Sequence, residues 1–154
     1  MKNKCVQVNN KKQLAEETKE QRPLNLRGFA SEVKRVNKLL ERLPNSFSGT
    51  LEHHMKNKKV NCEMLCQLTG LSEATVTRYR SRDCSRYKFS AVMLICIAMK
   101  LNPIFSYDLI RKAGFNFNCS LEHTAYQMLI MNANQINIEQ INKYLVSMGL
   151  KPLN

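Results

Sequence analysis

The chain is 154 residues long and 44% hydrophobic, with no tryptophan, 5 glycines and 4 prolines. A chain of this length buries roughly 68 to 70% of its unfolded surface, enough for one domain or one domain plus an arm, and a core drawn mainly from Leu, Ile, Met and Val points to an all-α protein. Lys and Arg number 24 against 12 Asp and Glu, a formal charge of +12, which favours a polyanionic partner, nucleic acid foremost, whereas the longest apolar run, the nine residues Ala91 to Met99, is far short of the about 20 that cross a bilayer.

The charge is unevenly placed. Residues 1–45 carry 11 basic and 5 acidic groups, residues 46–118 carry 11 and 5, and residues 119–154 carry 2 and 2. The six cysteines are Cys5, Cys62, Cys66, Cys84, Cys96 and Cys119, four of them within apolar helical patterns, where a reduced thiol behaves as a small hydrophobe. Cys62 and Cys66 are one helical turn apart, but no Cys-x-x-Cys pair or His-x-x-x-His partner completes a tetrahedral set, so neither metal nor cofactor is expected. With no signal peptide at the N-terminus, the expected setting is a reducing cytoplasm.

Taken in order, residues 1–45 read as a basic arm. The first 27 are polar, and Lys11 to Glu20 has too little apolar surface to hold more than a transient helix. Val33, Val36, Leu39, Leu40 and Leu43 then repeat at three and four, which predicts an amphipathic helix over about 29–43, ended by Pro44. A helix over 49–58 follows, with Phe47, Leu51 and Met55 on its inner side and His53 and His54 solvated or half-buried. Asn61 can cap the next helix, through Leu68, and Ser72 the one after it, through about Ser81.

The loop from Arg82 to Lys88 sets three basic residues against Asp83 alone. Ser90 is expected to open a helix to Lys100, apolar on nearly every face and so central to the core, with Asn102 and Pro103 stopping it. Ser106 is expected to cap a short helix over 107–113 that ends at Gly114, and Phe115 and Phe117 to pin their rings on the bundle. Residues 119–154 read as a helical hairpin. Ser120 opens its first helix, with Leu121, Ala125, Met128 and Leu129 as the stripe. Asn137 and Gln140 form a capping box for the second, whose face is Ile138, Ile141, Leu145 and Met148 and whose end is Gly149.

One stretch carries more than fold. In CEMLCQLTGLSEATVTRYRS, from Cys62 to Ser81, Leu65, Cys66 and Leu68 precede Gly70, and Leu71, Val76 and Tyr79 follow it. This is the pattern of two short helices meeting at a turn that needs positive φ, with Ser72 as N-cap and Glu73 in the first turn of the second helix. Together with the apolar helix, LNP and the segment ending LIRKAGF, it resembles the Cro and phage-repressor type helix-turn-helix family, also called XRE.

The resemblance implies a lambda-repressor-like five-helix DNA-binding module over 46–118, flanked by the N-terminal helical arm and the C-terminal hairpin. In the docking mode it implies, the helix after Ser72 enters the major groove. Ser72, Glu73, Ala74, Thr77 and Arg78 then face the bases, and Asn61, Cys62, Arg80, Ser81, Arg82, Arg86 and Lys88 lie where phosphates would be held. The expectation is a sequence-specific binder of double-stranded DNA, a transcriptional regulator without catalytic activity, with the neutral hairpin as a candidate homodimer or protein-partner surface. The alternative is an antitoxin-like or adaptor module built for a protein partner, with weak or nonspecific DNA binding. The residues offer no HExxH motif, phosphate-binding glycine loop or Cys/His pair for an enzyme.

Overall fold

The computed structural model describes residues 26–153, and among them every regular element is a helix. The readings of residues 1–25, Cys5 included, lie outside the described residues. Two compact units divide at Glu41 and Arg42. In the first, α1 runs from Leu26 to Glu41, two turns of it tied by the Arg35–Glu32 ion pair and the Asn37–Glu41 hydrogen bond. It starts three residues earlier than the periodicity suggests. Val36 is buried, while Leu26, Phe29, Val33 and Leu39 are exposed.

The second unit contains seven helices among the described residues: α2 (Phe47–Lys58), α3 (Cys62–Thr69), α4 (Glu73–Arg80), α5 (Phe89–Ala98), α6 (Pro103–Lys112), α7 (Leu121–Met131) and α8 (Ile138–Ser147). Short polar caps set most of their starts. Ser46 accepts from the Gly49 amide at 3.2 Å, Asn61 from Met64 at 2.8 Å, and Ser120 from His123 at 3.2 Å. Asn137 and Gln140 close the expected capping box at 2.8 and 3.2 Å. Gly49 is needed for space, because a Cβ there would stand 2.8 Å from the Cβ of Pro44, where the incoming chain folds back on the first turn of α2.

Three starts differ from expectation, α2 by two residues, since Ser46 caps it at Phe47. Ser106 is no cap: α6 begins at Pro103, with Asn102 accepting from the Ile104 amide at 3.0 Å. Proline suits the first helical position because its missing N–H has no partner there and its φ is already helical, so LNP both ends one helix and starts the next. Ser106 lies buried one turn inside, its Oγ without a hydrogen-bond partner. Likewise α5 starts at Phe89 without a side-chain cap, and the Ser90 hydroxyl is also unpartnered.

The middle helix organises the unit. All residues from Ala91 to Ile97 are buried, and α3, α6, α7 and α8 each pack on α5. Full burial of one large aliphatic side chain is worth about 1.5–3 kcal/mol, so an unbroken run of them concentrates the folding energy on this helix. At its start Phe89 stacks on Phe115 at 4.8 Å and meets Tyr126 edge-on at 5.5 Å, while Phe117 packs edge-on against Tyr107 at 5.5 Å. The two phenylalanines of the 115–117 segment thus pin it to the bundle, as expected. Both C-terminal helices share this core through Ala125, Tyr126, Leu129 and Ile130 of α7 and Ile141 and Leu145 of α8.

The inner faces differ in detail from the expected stripes. Leu121 and Met128 of α7 are exposed, because the helix turns Tyr126 and Ile130 inward beside Ala125 and Leu129. Met148, after α8, and Leu68 of α3 are also exposed, and Thr69 takes the buried place on α3 instead. His54 departs as well, being 6% exposed rather than solvated or half-buried.

Candidate nucleic-acid interface

The turn between α3 and α4 is set by three local interactions. Gly70 adopts φ 72° and ψ 6°, and its amide donates to the Cys66 carbonyl at 2.8 Å. That left-handed conformation costs a residue with a Cβ about 1–2 kcal/mol. The Thr69 hydroxyl donates to the Leu65 carbonyl at 2.6 Å and accepts from the Leu71 amide at 3.2 Å, so a buried side chain locks the residues on both sides of the glycine. Ser72 then accepts from the Thr75 amide at 3.2 Å and starts α4.

On α4, Val76 and Tyr79 are buried against the core at 0% and 1% exposure. Ser72, Glu73, Ala74, Thr77 and Arg78 are all exposed. Glu73 and Thr77 are one turn apart, as are Ala74 and Arg78, so the four share the side of the helix opposite Val76 and Tyr79. The five residues expected to face bases therefore form one open surface. The Arg78 guanidinium lies 5.5 Å from the centroid of the Tyr79 ring and has no ion-pair partner among the described residues. A cation–π contact of this kind at an exposed site is worth about 0.5–1 kcal/mol and leaves the N–H fork open.

Beyond α4 the basic loop is held by aromatic side chains. The Tyr79 Oη accepts from the Lys88 amide at 2.8 Å, and the Tyr87 Oη donates to the Cys84 carbonyl at 2.8 Å. Burial, followed by the neighbouring Cys84, pushes the Tyr87 phenol up to about 12. Phe47 completes the cluster, its ring 4.2 Å from Tyr87 and 6.0 Å from Tyr79. The scaffold thus presents Arg82, Arg86 and Lys88, all exposed and without an ion pair among the described residues, while Ser81 accepts from the Asp83 amide at 3.3 Å.

Asn61, Cys62 and Arg80 come together around a surface cleft of about 520 Å³, whose wall also includes Glu52 and Lys56. Arg80 reaches from α4 to Glu52 of α2, Nη2 to Oε1 at 3.0 Å. Both side chains are exposed, so the pair contributes about 0.2–1 kcal/mol. The Asn61 oxygen is taken by the Met64 amide, which leaves its NH₂ as donor. Lys56 and Glu52 carry no sequence signal for this place, because only the crossing of α2 and α4 brings them to it. The role of Thr69 in the turn was equally invisible, since a threonine near a helix end looks like any polar residue.

Cys62 and Cys66 are half-buried free thiols. Burial, then the neighbouring Cys62 and Glu73, raises the Cys66 pKa. Among the described residues no group of three or more His, Cys, Asp or Glu is placed to hold a metal ion, and no helix is long and apolar enough to cross a membrane. No curated protein and no solved structure is significantly similar to the chain. The model of one protein family does match it, over residues 50–104, from the first turn of α2 through the start of α6 and so including both helices of the turn. That model is the Cro/C1-type helix-turn-helix DNA-binding domain, to which this segment is similar.

Proposed function

We propose that the protein is a sequence-specific binder of double-stranded DNA that regulates transcription, with α4 in the major groove. The observation that carries this reading is the outward face of α4, where Ser72, Glu73, Ala74, Thr77 and Arg78 stand exposed while Val76 and Tyr79 anchor the helix from behind. Arg78 offers a two-pronged donor for guanine O6 and N7, Glu73 an acceptor for cytosine N4, and the methyls of Ala74 and Thr77 a contact for thymine. Asn61, Cys62, Arg80, Ser81, Arg82, Arg86 and Lys88 hold phosphates and set the register without reading sequence. Arg80 does so while shared with Glu52, and Lys56 joins it from the same cleft.

Two copies binding half-sites about 34–36 Å apart suit this docking. The near-neutral C-terminal helices expose Leu121, Met128, Tyr144 and Val146, an apolar set that supports a contact between copies or with a protein partner. The test is a selection of bound sites from random DNA followed by Arg78→Ala. One bidentate contact discriminates by about 1–3 kcal/mol, so the variant should lose about 5- to 150-fold in affinity for the selected site and relax its preference at one base pair. Unchanged affinity and unchanged preference would overturn the assignment.

A further inference from the structure

A second cleft, of about 330 Å³, opens where Leu68 at the end of α3 meets the end of α5 and the connection from α7 to α8. We propose that it binds a small amphipathic carboxylate, a molecule with one anionic head and an apolar body. Its volume is within the range of small-molecule sites, about 300–1,000 Å³. Leu68, Ile97, Ile136 and Ile138 supply the apolar wall, and Leu68 is otherwise an apolar side chain left 46% exposed.

The polar lining is selective in sign. Asn137 Oδ1 accepts from the Gln140 amide at 2.8 Å, and Gln140 Oε1 accepts from the Asn137 amide at 3.2 Å. Both partners are backbone N–H groups, so the side-chain oxygens are committed and the two NH₂ groups remain as donors. Lys100 adds an ammonium from the end of α5 and has no ion pair among the described residues. Its backbone is held at φ 47°, with its carbonyl accepting from Lys58 Nζ at 3.1 Å. Asn134 and Gln135, on the same wall, can turn either end of their amides inward. No Asp or Glu lines the cleft among the described residues. A carboxylate, which only accepts hydrogen bonds, complements this set, whereas an ammonium meets the like charge of Lys100 with no carboxylate to offset it and an alcohol forgoes the charge.

The test is an NMR titration of the full chain, without DNA, so that it stands apart from the reading of α4. Octanoate is the probe, with 1-octanol and octylammonium alongside. Octanoate should give saturable shifts centred on Leu68, Lys100 and Asn137, and the two controls should bind at least about tenfold more weakly, as the loss of a charge-assisted hydrogen bond implies. Lys100→Met should weaken octanoate by about tenfold, and Lys100→Glu should abolish it and favour octylammonium. Arg78→Ala should leave it unchanged. The proposal is overturned if octanoate gives no saturable shift up to about 10 mM, the weak limit for a ligand of this size, if the three probes bind alike, or if neither Lys100 variant alters the titration.

Discussion

Acidification should weaken the fold through His54. This ring is buried in α2, faces Phe105 at 5.6 Å and His53 at 5.9 Å, and leaves its Nε2 without a hydrogen-bond partner. Burial first, and then His53, lower its pKa from 6.5 to about 4, with Lys112 and Lys58 adding to the effect and Asp108 opposing it. Asp108 lies 2.6 Å from Lys112 and 2.9 Å from Arg111, so its charge is already engaged. As the pH falls through 6.5, the unfolded chain takes up a proton that the native ring refuses until about pH 4. Stability is therefore present in full above that window, lost across it, and not lost further by this group below it. At 1.36 kcal/mol per pH unit the loss has a ceiling of about 3 kcal/mol. Urea unfolding at about pH 7 and about pH 4.5, on the wild type and His54→Leu, measures it. The variant removes an unpaired buried nitrogen, so it should match or exceed the wild type near pH 7 and lose about 2–3 kcal/mol less on acidification. An equal loss in both proteins would refute the reasoning.

Three further outcomes are expected. Tyr79→Phe removes the acceptor of the Lys88 amide and should cost about 1 kcal/mol, toward the low end because Lys88 lies near solvent, with faster amide exchange over 81–88. Thr69→Val leaves the Leu71 amide without its partner, so denaturant unfolding should show a loss of about 1–3 kcal/mol. Joint replacement of Arg82 and Arg86 by Gln should flatten the slope of log affinity against log salt by about 0.9 for each phosphate no longer neutralised, with base preference unchanged.

The helix-turn-helix was legible because its signals are local. Gly70 is the only residue type without a steric penalty at φ 72°, and Asn61 and Ser72 cap the amides three positions on. The outward set on α4 came from the resemblance to the Cro and phage-repressor family, and helical spacing agrees with it, since Val76 and Tyr79 buried inward leave the opposite side exposed. Where the reading failed, two assignments were locally equivalent. Asn-Pro can end one helix or start another, and Ser106 and Asn102 are both acceptable caps. Only the burial of Ser106 inside α6 separates them.

By itself, then, the amino-acid sequence determined the helical class, most of the starts and turns, the side of α4 that faces out and the positive charge beside it. These depend on interactions within about one helical turn, which a sequence lists in order. The tertiary structure alone decided which apolar stripe each helix buries, turning Tyr126 and Ile130 of α7 inward in place of Leu121 and Met128 and exposing Leu68 in favour of Thr69. It also decided the Arg80–Glu52 pair, the burial of His54 and the donor-lined cleft at Lys100. Each of these depends on which distant surfaces meet, and helix rotation adjusts to the packing of the neighbour rather than to the order of residues.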